Sequence, residues 1–102
     1  MQNIISEIEA GNAVLIDVRT KEEFDMEHAL EALNWDVYNE TKLPNISKDK
    51  KVYLYCRSGG RAERAKQTFL QSGFTIVENI GGLIHWKEAG GEVQADNQKI
   101  QY

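Results

Sequence analysis

The feature that most constrains this chain is a series of short apolar runs, each followed by a segment of helical character. Residues 13–16 (AVLI) and 52–55 (VYLY) contain no charged position, a pattern typical of strands buried on both faces of a sheet. After the second run, Ala62, Ala65 and Phe69 recur at helical spacing. Strands that alternate with helices predict right-handed crossovers and a mainly parallel sheet. We therefore predict an α/β fold in three layers, with a central sheet of about five strands and helices on both faces.

Local signals predict the shorter elements. Thr20 and Glu23 form the T-x-x-E pattern of a capping box, which predicts a short helix after Thr20. Two more short strands are predicted at residues 32–35 and 74–77. A last short helix is predicted over residues 83–89, between two pairs of glycines.

The length of 102 residues is that of one compact domain. We predict a single domain over residues 1–102, with a polar, frayed tail from about residue 92. One cysteine excludes an internal disulfide, and one cysteine with two histidines is too few for a Cys/His zinc site. We therefore expect a fold held by packing alone, with no metal and no cofactor.

Charge and hydropathy patterning bear on partners and location. The formal net charge of −4 argues against nucleic-acid binding, and no apolar run approaches the roughly 20 residues that span a bilayer. No basic segment followed by an apolar stretch opens the chain, so no signal peptide is visible. We expect a cytoplasmic monomer that binds neither nucleic acid nor membrane. A periplasmic location stays open if a signal peptide was removed before residue 1.

Cys56 lies where the clearest strand ends and a glycine-bearing loop leads into a helix. In open α/β sheets, ligands bind at the carboxyl ends of the strands. Backbone N–H groups at a helix N-terminus carry partial positive charge, and Gly59 and Gly60 can turn several of them toward one sulfur. With Arg57 and Arg61 beside it, the loop should stabilise a thiolate and hold an anionic substrate. The sequence therefore predicts Cys56 as a nucleophile.

A lone cysteine at a strand end also has a simpler interpretation. Most free cysteines are buried, inert and behave as small apolar residues. The sequence C-R-S-G-G-R argues against that interpretation at Cys56, because a core cysteine has no need of two arginines and two glycines leading into a helix. We favour the functional interpretation.

Four segments resemble the rhodanese family, and together they extend over most of the chain. Residues 15–24 (LIDVRTKEEF) resemble the family's N-terminal signature L-I-D-V-R-x-x-x-E-F, and His28 matches the histidine of its G-H-I-P-G-A segment. Residues 55–61 (YCRSGGR) resemble its active-site loop, and residues 81–86 (GGLIHW) resemble its G-G-x-x-x-W element. Each segment alone is a modest signal, whereas all four in order are highly specific.

The resemblance implies a rhodanese-like three-layer fold and a sulfurtransferase that acts in two steps. Cys56 would attack the outer sulfur of a small anionic donor such as thiosulfate, release sulfite and keep the sulfur as a persulfide. Cyanide, a thiol or the thiol of an acceptor protein would then take that sulfur. By the same comparison, Asp17 and Arg19 would support the site. The implied substrate-binding residues are those of the loop: Arg57, Ser58, Gly59, Gly60 and Arg61.

The length of the active-site loop distinguishes sulfur substrates from phosphate or arsenate substrates within the resembling family. Relatives that act on phosphate or arsenate carry C-x5-R, whereas here the arginine falls at C-x4-R and Ala62 stands at the longer spacing. The resemblance therefore favours sulfur over phosphorus, and a phosphatase or arsenate reductase is the least favoured hypothesis.

The main alternative is a catalytically idle module of the same fold that binds a partner. The chain keeps Cys56 and Arg61, which favours the enzyme. It has no G-x-x-x-x-G-K-[ST], no G-x-G-x-x-G after the first strand and no C-x-x-C, which disfavours a nucleotide enzyme or a thioredoxin-like protein. We interpret His28 and His85 as packing or surface residues. Arg64, one turn beyond Arg61, stays open as a further source of positive charge.

The chain departs from the family at residues 28–32, where H-A-L-E-A stands in place of H-I-P-G-A. The proline and the glycine that make the turn are both missing, and Glu31 is a poor residue for a positive φ. We therefore expect altered geometry or a helical segment at this turn.

Overall fold

The computed structural model describes residues 1–95. Four helices are present in that part of the chain: α1 Gln2–Glu9, α2 Lys21–Met26, α3 Gly60–Gln71 and α4 Leu83–Glu88. Six strands accompany them: β1 Ala13–Asp17, β2 His28–Ala29, β3 Leu33–Asn34, β4 Lys51–Cys56, β5 Val77–Gly82 and β6 Val93–Gln94. None of these helices combines the length and apolarity that a bilayer crossing requires.

The central sheet has four parallel strands in the order β3-β1-β4-β5. In its middle, Val14 of β1 pairs with Val52 of β4, and at its end Cys56 pairs with Gly82 of β5. Because the strands are parallel, their carboxyl ends lie at one edge of the sheet. Cys56 is therefore placed beside the ends of β1 and β5.

Alternation along β4 separates the interior into two layers. Leu54 and Cys56 belong to a core on one face, together with the buried side of α3. Tyr53 and Tyr55 belong to a core on the other face, together with residues of α1 and α4. The three-layer α/β prediction is confirmed.

Two of the helices match sequence patterns. The predicted capping box at α2 is present, since the Thr20 Oγ1 accepts the Glu23 N–H at 3.2 Å and the Glu23 carboxylate accepts the Thr20 N–H at 3.1 Å. In α3, the residues predicted from helical spacing are the buried ones: Ala62, Ala65 and Phe69.

The sheet has one strand fewer than the approximate number predicted, and the predicted strand at residues 74–77 is misplaced. Phe74 packs on Phe69 with 5.2 Å between the ring centroids, and β5 begins only at Val77. Phe74 is an apolar core residue in a connection, and a short, mostly apolar segment such as residues 74–77 (FTIV) does not by itself distinguish a strand from such a connection. The remaining pair, β2 with β6, is antiparallel and forms a separate small sheet.

The turn at residues 28–32 keeps a tight form without proline or glycine. The Ala32 N–H donates to the Ala29 carbonyl oxygen at 3.0 Å, and Glu31 adopts φ 75°. A positive φ at the third turn position is typical of a type II turn. The expectation of a helical segment here is wrong.

The first residues of the predicted tail form a strand, β6, that pairs with β2. Within the described part, Ala29 of β2 pairs with Val93 of β6. The rest of the predicted tail, residues 96–102, lies outside the described residues, and the single domain over residues 1–102 stays a prediction.

Candidate active site

Cys56 ends β4 and is 1% exposed, and its sulfur is held by the loop that follows. The Gly59 N–H donates to the Cys56 Sγ at 2.8 Å. Gly59 has φ 110°, a left-handed conformation that side chains rarely adopt, and it directly precedes α3. The sulfur therefore lies against a loop amide near a helix N-terminus, which stabilises negative charge on sulfur.

The active-site loop rests on the end of β5. The Asn79 Nδ2 donates to the Gly59 carbonyl oxygen at 2.9 Å, and the Asn79 Oδ1 accepts the Gly81 N–H at 2.8 Å. At Gly82, a Cβ atom would collide with the carbonyl oxygen of Arg57. Only glycine allows the loop to approach β5 this closely, which gives the G-G pair a physical role.

Arg61 is held by an acidic residue of α2. Its Nη1 and Nη2 donate to the two carboxylate oxygens of Glu23, at 2.7 and 3.1 Å. This pair, helped by the capping box, lowers the pKa of Glu23 from 4.5 to about 2. The same pair raises the pKa of Arg61, and the charge of Cys56 raises it further. The positive charge at Arg61 is thus fixed in place near the sulfur.

Arg57 differs from Arg61 because it is exposed and makes no ion pair within residues 1–95. It reaches an open pocket of about 750 Å³. Ser58 and Gly60 of the loop are exposed as well. The residues that line the pocket come from the loop, α2 and α4 and from the chain beside them: Arg19, Glu22, Glu23, Met26, Glu27, Arg57, Leu83 and Ile84.

Asp17 and Arg19 form a buried ion pair behind the loop. The Arg19 Nη2 lies 2.6 Å from the Asp17 Oδ2, and the Arg19 backbone N–H donates to the Asp17 Oδ1 at 2.9 Å. The Tyr55 hydroxyl donates to the same carboxylate at 2.7 Å and accepts the Ala29 N–H at 2.9 Å. Burial and then the Asp17 charge raise the pKa of Tyr55 above its usual value. These contacts join β1 to β4 at Tyr55, the residue that precedes Cys56.

Of the predicted loop residues, Gly59 contacts the Cys56 sulfur directly, and the two arginines have different surroundings. Arg57 is available to a ligand, whereas both terminal nitrogens of Arg61 already contact Glu23. Donor binding by these residues stays a prediction.

Sequence reasoning missed three contributors to the site. Glu23 lies in the quoted segment 15–24 and completes the capping box, but neither pattern predicts its contact with Arg61. Asn79 stands two residues before the G-G pair but belongs to no motif that the sequence analysis used. Tyr55 is the first residue of the quoted segment 55–61 (YCRSGGR), but only the fold places its hydroxyl on Asp17.

The two histidines lie in packed or capping positions, and Arg64 lies at the surface. The His28 ring stacks on Phe24 with 3.7 Å between centroids, and its Nδ1 lies 2.7 Å from the Phe24 carbonyl oxygen. The His85 Nδ1 accepts the Gly82 N–H at 2.9 Å at the start of α4. The Arg64 guanidinium lies 5.5 Å from the centroid of the Tyr38 ring.

Comparisons with known proteins bear on the family and the fold of this chain. The model of the rhodanese-like domain family matches residues 2–89. The uncharacterized protein YqhL of Bacillus subtilis is 41% identical over 93 residues, which cover 87% of this chain and 71% of that protein. The thiosulfate sulfurtransferase PspE of Escherichia coli is 36% identical over 73 residues, 67% of this chain and 68% of PspE. A crystal structure of thiosulfate sulfurtransferase from Pseudomonas aeruginosa superposes with a TM-score of 0.81 at 29% identity, over 93% of this chain and 19% of that chain.

Proposed function

Given that this chain belongs to the rhodanese-like sulfurtransferase family, we propose that it moves sulfane sulfur from thiosulfate or a similar small anionic donor to cyanide or a thiol, through a persulfide on Cys56. The observation that carries the proposal is the contact of the Cys56 Sγ with the Gly59 N–H, at 2.8 Å, in the loop before α3. A sulfur held this way is set up as a nucleophile rather than as a packing group.

In the first step, the Cys56 thiolate attacks the outer sulfur of thiosulfate. A bond forms between the two sulfurs, the sulfur–sulfur bond of thiosulfate breaks, and sulfite leaves with the electron pair. Cys56 keeps the transferred sulfur as a persulfide anion. Every species in this step is an anion, so positive charge near the sulfur lowers its barrier.

The loop supplies that positive charge from two kinds of group. The amides at the start of α3 have no partner within the helix and carry partial positive charge. Arg57 is exposed at the pocket and can bind the sulfonate oxygens of the donor. Arg61, held by Glu23, contributes a fixed charge and keeps the loop in position.

In the second step, the acceptor attacks the outer sulfur of the persulfide. Cyanide would leave as thiocyanate, and a thiolate would leave as a new persulfide. The bond between the Cys56 Sγ and the outer sulfur breaks, and the thiolate of Cys56 is regenerated. The cycle therefore needs no external oxidant or reductant.

Intact-mass measurement tests the proposal. The reduced protein is incubated with thiosulfate and separated from excess reagent, and its mass is recorded beside that of Cys56→Ala. We expect the mass of one sulfur atom to be gained by the parent only, and to be lost again when cyanide is added.

Failure to gain mass with thiosulfate leads to a second arm with glutathione persulfide as donor. If the protein gains sulfur from glutathione persulfide alone, that compound rather than thiosulfate is the donor class, and Cys56 remains the sulfur carrier. No sulfur gained from either donor would contradict the proposal and leave the idle binding module.

A further inference from the structure

The pocket beside the active-site loop is large for the substrates considered so far. Its volume of about 750 Å³ lies in the range that encloses small organic molecules. Thiosulfate and cyanide have only a few atoms each and would occupy a small part of it. Arg57, which directly follows Cys56, lines the pocket, so a molecule bound there would lie next to the reacting loop.

Two exposed apolar side chains from different helices meet at this pocket. Met26 at the end of α2 is 67% exposed, and Ile84 of α4 is 53% exposed. Leu83, which is 8% exposed, also lines the pocket and adds to its apolar surface. Large apolar side chains from two elements that converge beside a reactive loop mark a surface that a ligand can cover.

The charges of the pocket are mostly neutralised by partners within residues 1–95. Glu23 pairs with Arg61, Glu27 pairs with Lys87 at 2.8 Å, and Arg19 is held by Asp17. Arg57 is the pocket cation that makes no such pair in that part of the chain. Glu22 is an exposed carboxylate that solvent and salt screen. The pocket thus offers one available positive charge beside an apolar wall.

We propose that this pocket binds the acceptor, and that the acceptor is a small organic thiol with an apolar body and a carboxylate. The apolar body would contact Met26 and Ile84, and the carboxylate would pair with Arg57. The thiolate would then attack the outer sulfur of the Cys56 persulfide, so that the new sulfur–sulfur bond forms on the acceptor while the bond to Sγ breaks and the thiolate of Cys56 returns. This inference rests on the proposed function and makes Met26 and Ile84 the residues that determine acceptor specificity.

Acceptor kinetics test the assignment with mercaptobenzoate as the apolar thiol and cyanide as the reference acceptor. In the double variant Met26→Ala/Ile84→Ala, we expect the ratio of kcat/KM for mercaptobenzoate to kcat/KM for cyanide to fall about tenfold, through KM for the thiol. Both side chains are exposed, so their truncation should leave the fold intact. Ile76→Ala is the matched control, because Ile76 is 42% exposed and does not line the pocket. An unchanged ratio in the double variant would overturn the proposal.

A binding measurement separates this inference from the proposed function. The S-methyl thioether of mercaptobenzoate cannot accept sulfur, and its affinity for the unmodified protein is measured by calorimetry. We expect binding by the parent and by Ile76→Ala, and about tenfold weaker binding by the double variant. If the parent fails to gain sulfur but binds the thioether through these residues, the sulfur chemistry is wrong and the pocket assignment holds. No binding by the parent would overturn the pocket assignment whatever the mass measurement shows.

Discussion

At the scale of single residues, Glu31 is where the backbone is most costly. Within residues 1–95 it is the only residue other than glycine with a positive φ, at 75°. A side chain in this conformation costs roughly 1–2 kcal/mol, since Cβ approaches the following carbonyl oxygen. The turn persists because Ala29, whose carbonyl oxygen closes it, is fixed by the bond from its N–H to the Tyr55 hydroxyl.

Replacing Glu31 with glycine should stabilise the protein. Glycine removes the Cβ contact, although part of the gain is lost to the greater freedom of glycine in the unfolded chain. We expect Glu31→Gly to raise the free energy of unfolding by up to about 1 kcal/mol in denaturant titrations. Glu31→Ala is the control, because it removes the same carboxylate but keeps the Cβ atom. Equal effects of the two variants would show that backbone strain is not the cause.

At the scale of elements, the ion pair of Glu23 with Arg61 joins α2 to the first turn of α3. Glu23 is also the N3 residue of the capping box of α2, whose N-cap is Thr20, so one carboxylate orders the start of one helix and holds the start of another. The pair fixes where α2 lies relative to the loop that carries Cys56.

The low pKa of Glu23 predicts a pH-dependent loss of stability. Its pKa in the folded protein is about 2, against 4.5 without these contacts, so its contribution is present above pH 4.5 and is lost as the pH falls toward 2. We expect Glu23→Gln to lower the free energy of unfolding by about 1–2 kcal/mol at neutral pH. Over the range from pH 4.5 to 2, the stability of the parent should fall more steeply than that of the variant, as measured by denaturant titration at each pH.

Asp25→Asn serves as the control for Glu23→Gln. It removes the pair of Asp25 with Lys21 on the same helix, where the side chain of Lys21 is 75% exposed. An exposed pair of this kind contributes little. A loss in Asp25→Asn equal to that in Glu23→Gln would refute the role assigned to the pair with Arg61.

At the scale of the whole molecule, the buried polar contacts of Tyr55 connect the central sheet to the small one. Its hydroxyl joins Asp17 of β1 to the Ala29 N–H of β2, and its ring lies 5.6 Å from the Arg19 guanidinium carbon. Burying Asp17 at 0% exposure would be costly without these donors. The network therefore holds together segments that are distant in the sequence.

Tyr55→Phe should destabilise the protein more than the same change on the neighbouring position of the same face. It removes one donor to the buried Asp17 carboxylate and leaves the Ala29 N–H without its acceptor, so we expect a loss of about 2–3 kcal/mol in the free energy of unfolding. Tyr53→Phe is the matched control, because the Tyr53 hydroxyl donates at 2.5 Å to Glu7, whose side chain is 27% exposed and can be solvated. Thermal and denaturant unfolding measure both variants. Equal losses would contradict the special role of Tyr55.

The sequence by itself determined the layer architecture, the capping box at Thr20 and the loop that holds Cys56. Each depends on residues near one another in the chain: buried strands show as apolar runs, and glycines before a helix permit a loop that no other residue allows. The family resemblance rests on the same local segments and therefore depends on the sequence alone.

Tertiary structure alone decided which side chains meet across those segments. Local patterns placed Glu23 in a cap and Tyr55 in a strand, but the pairing of Glu23 with Arg61 and of Tyr55 with Asp17 spans 38 residues in each case. Tertiary contacts also decided that β5 begins at Val77, and that Arg61 pairs with Glu23 while Arg57 stays exposed at the pocket. Contacts between distant segments depend on how elements pack, and neither hydrophobic period nor local motif carries that information.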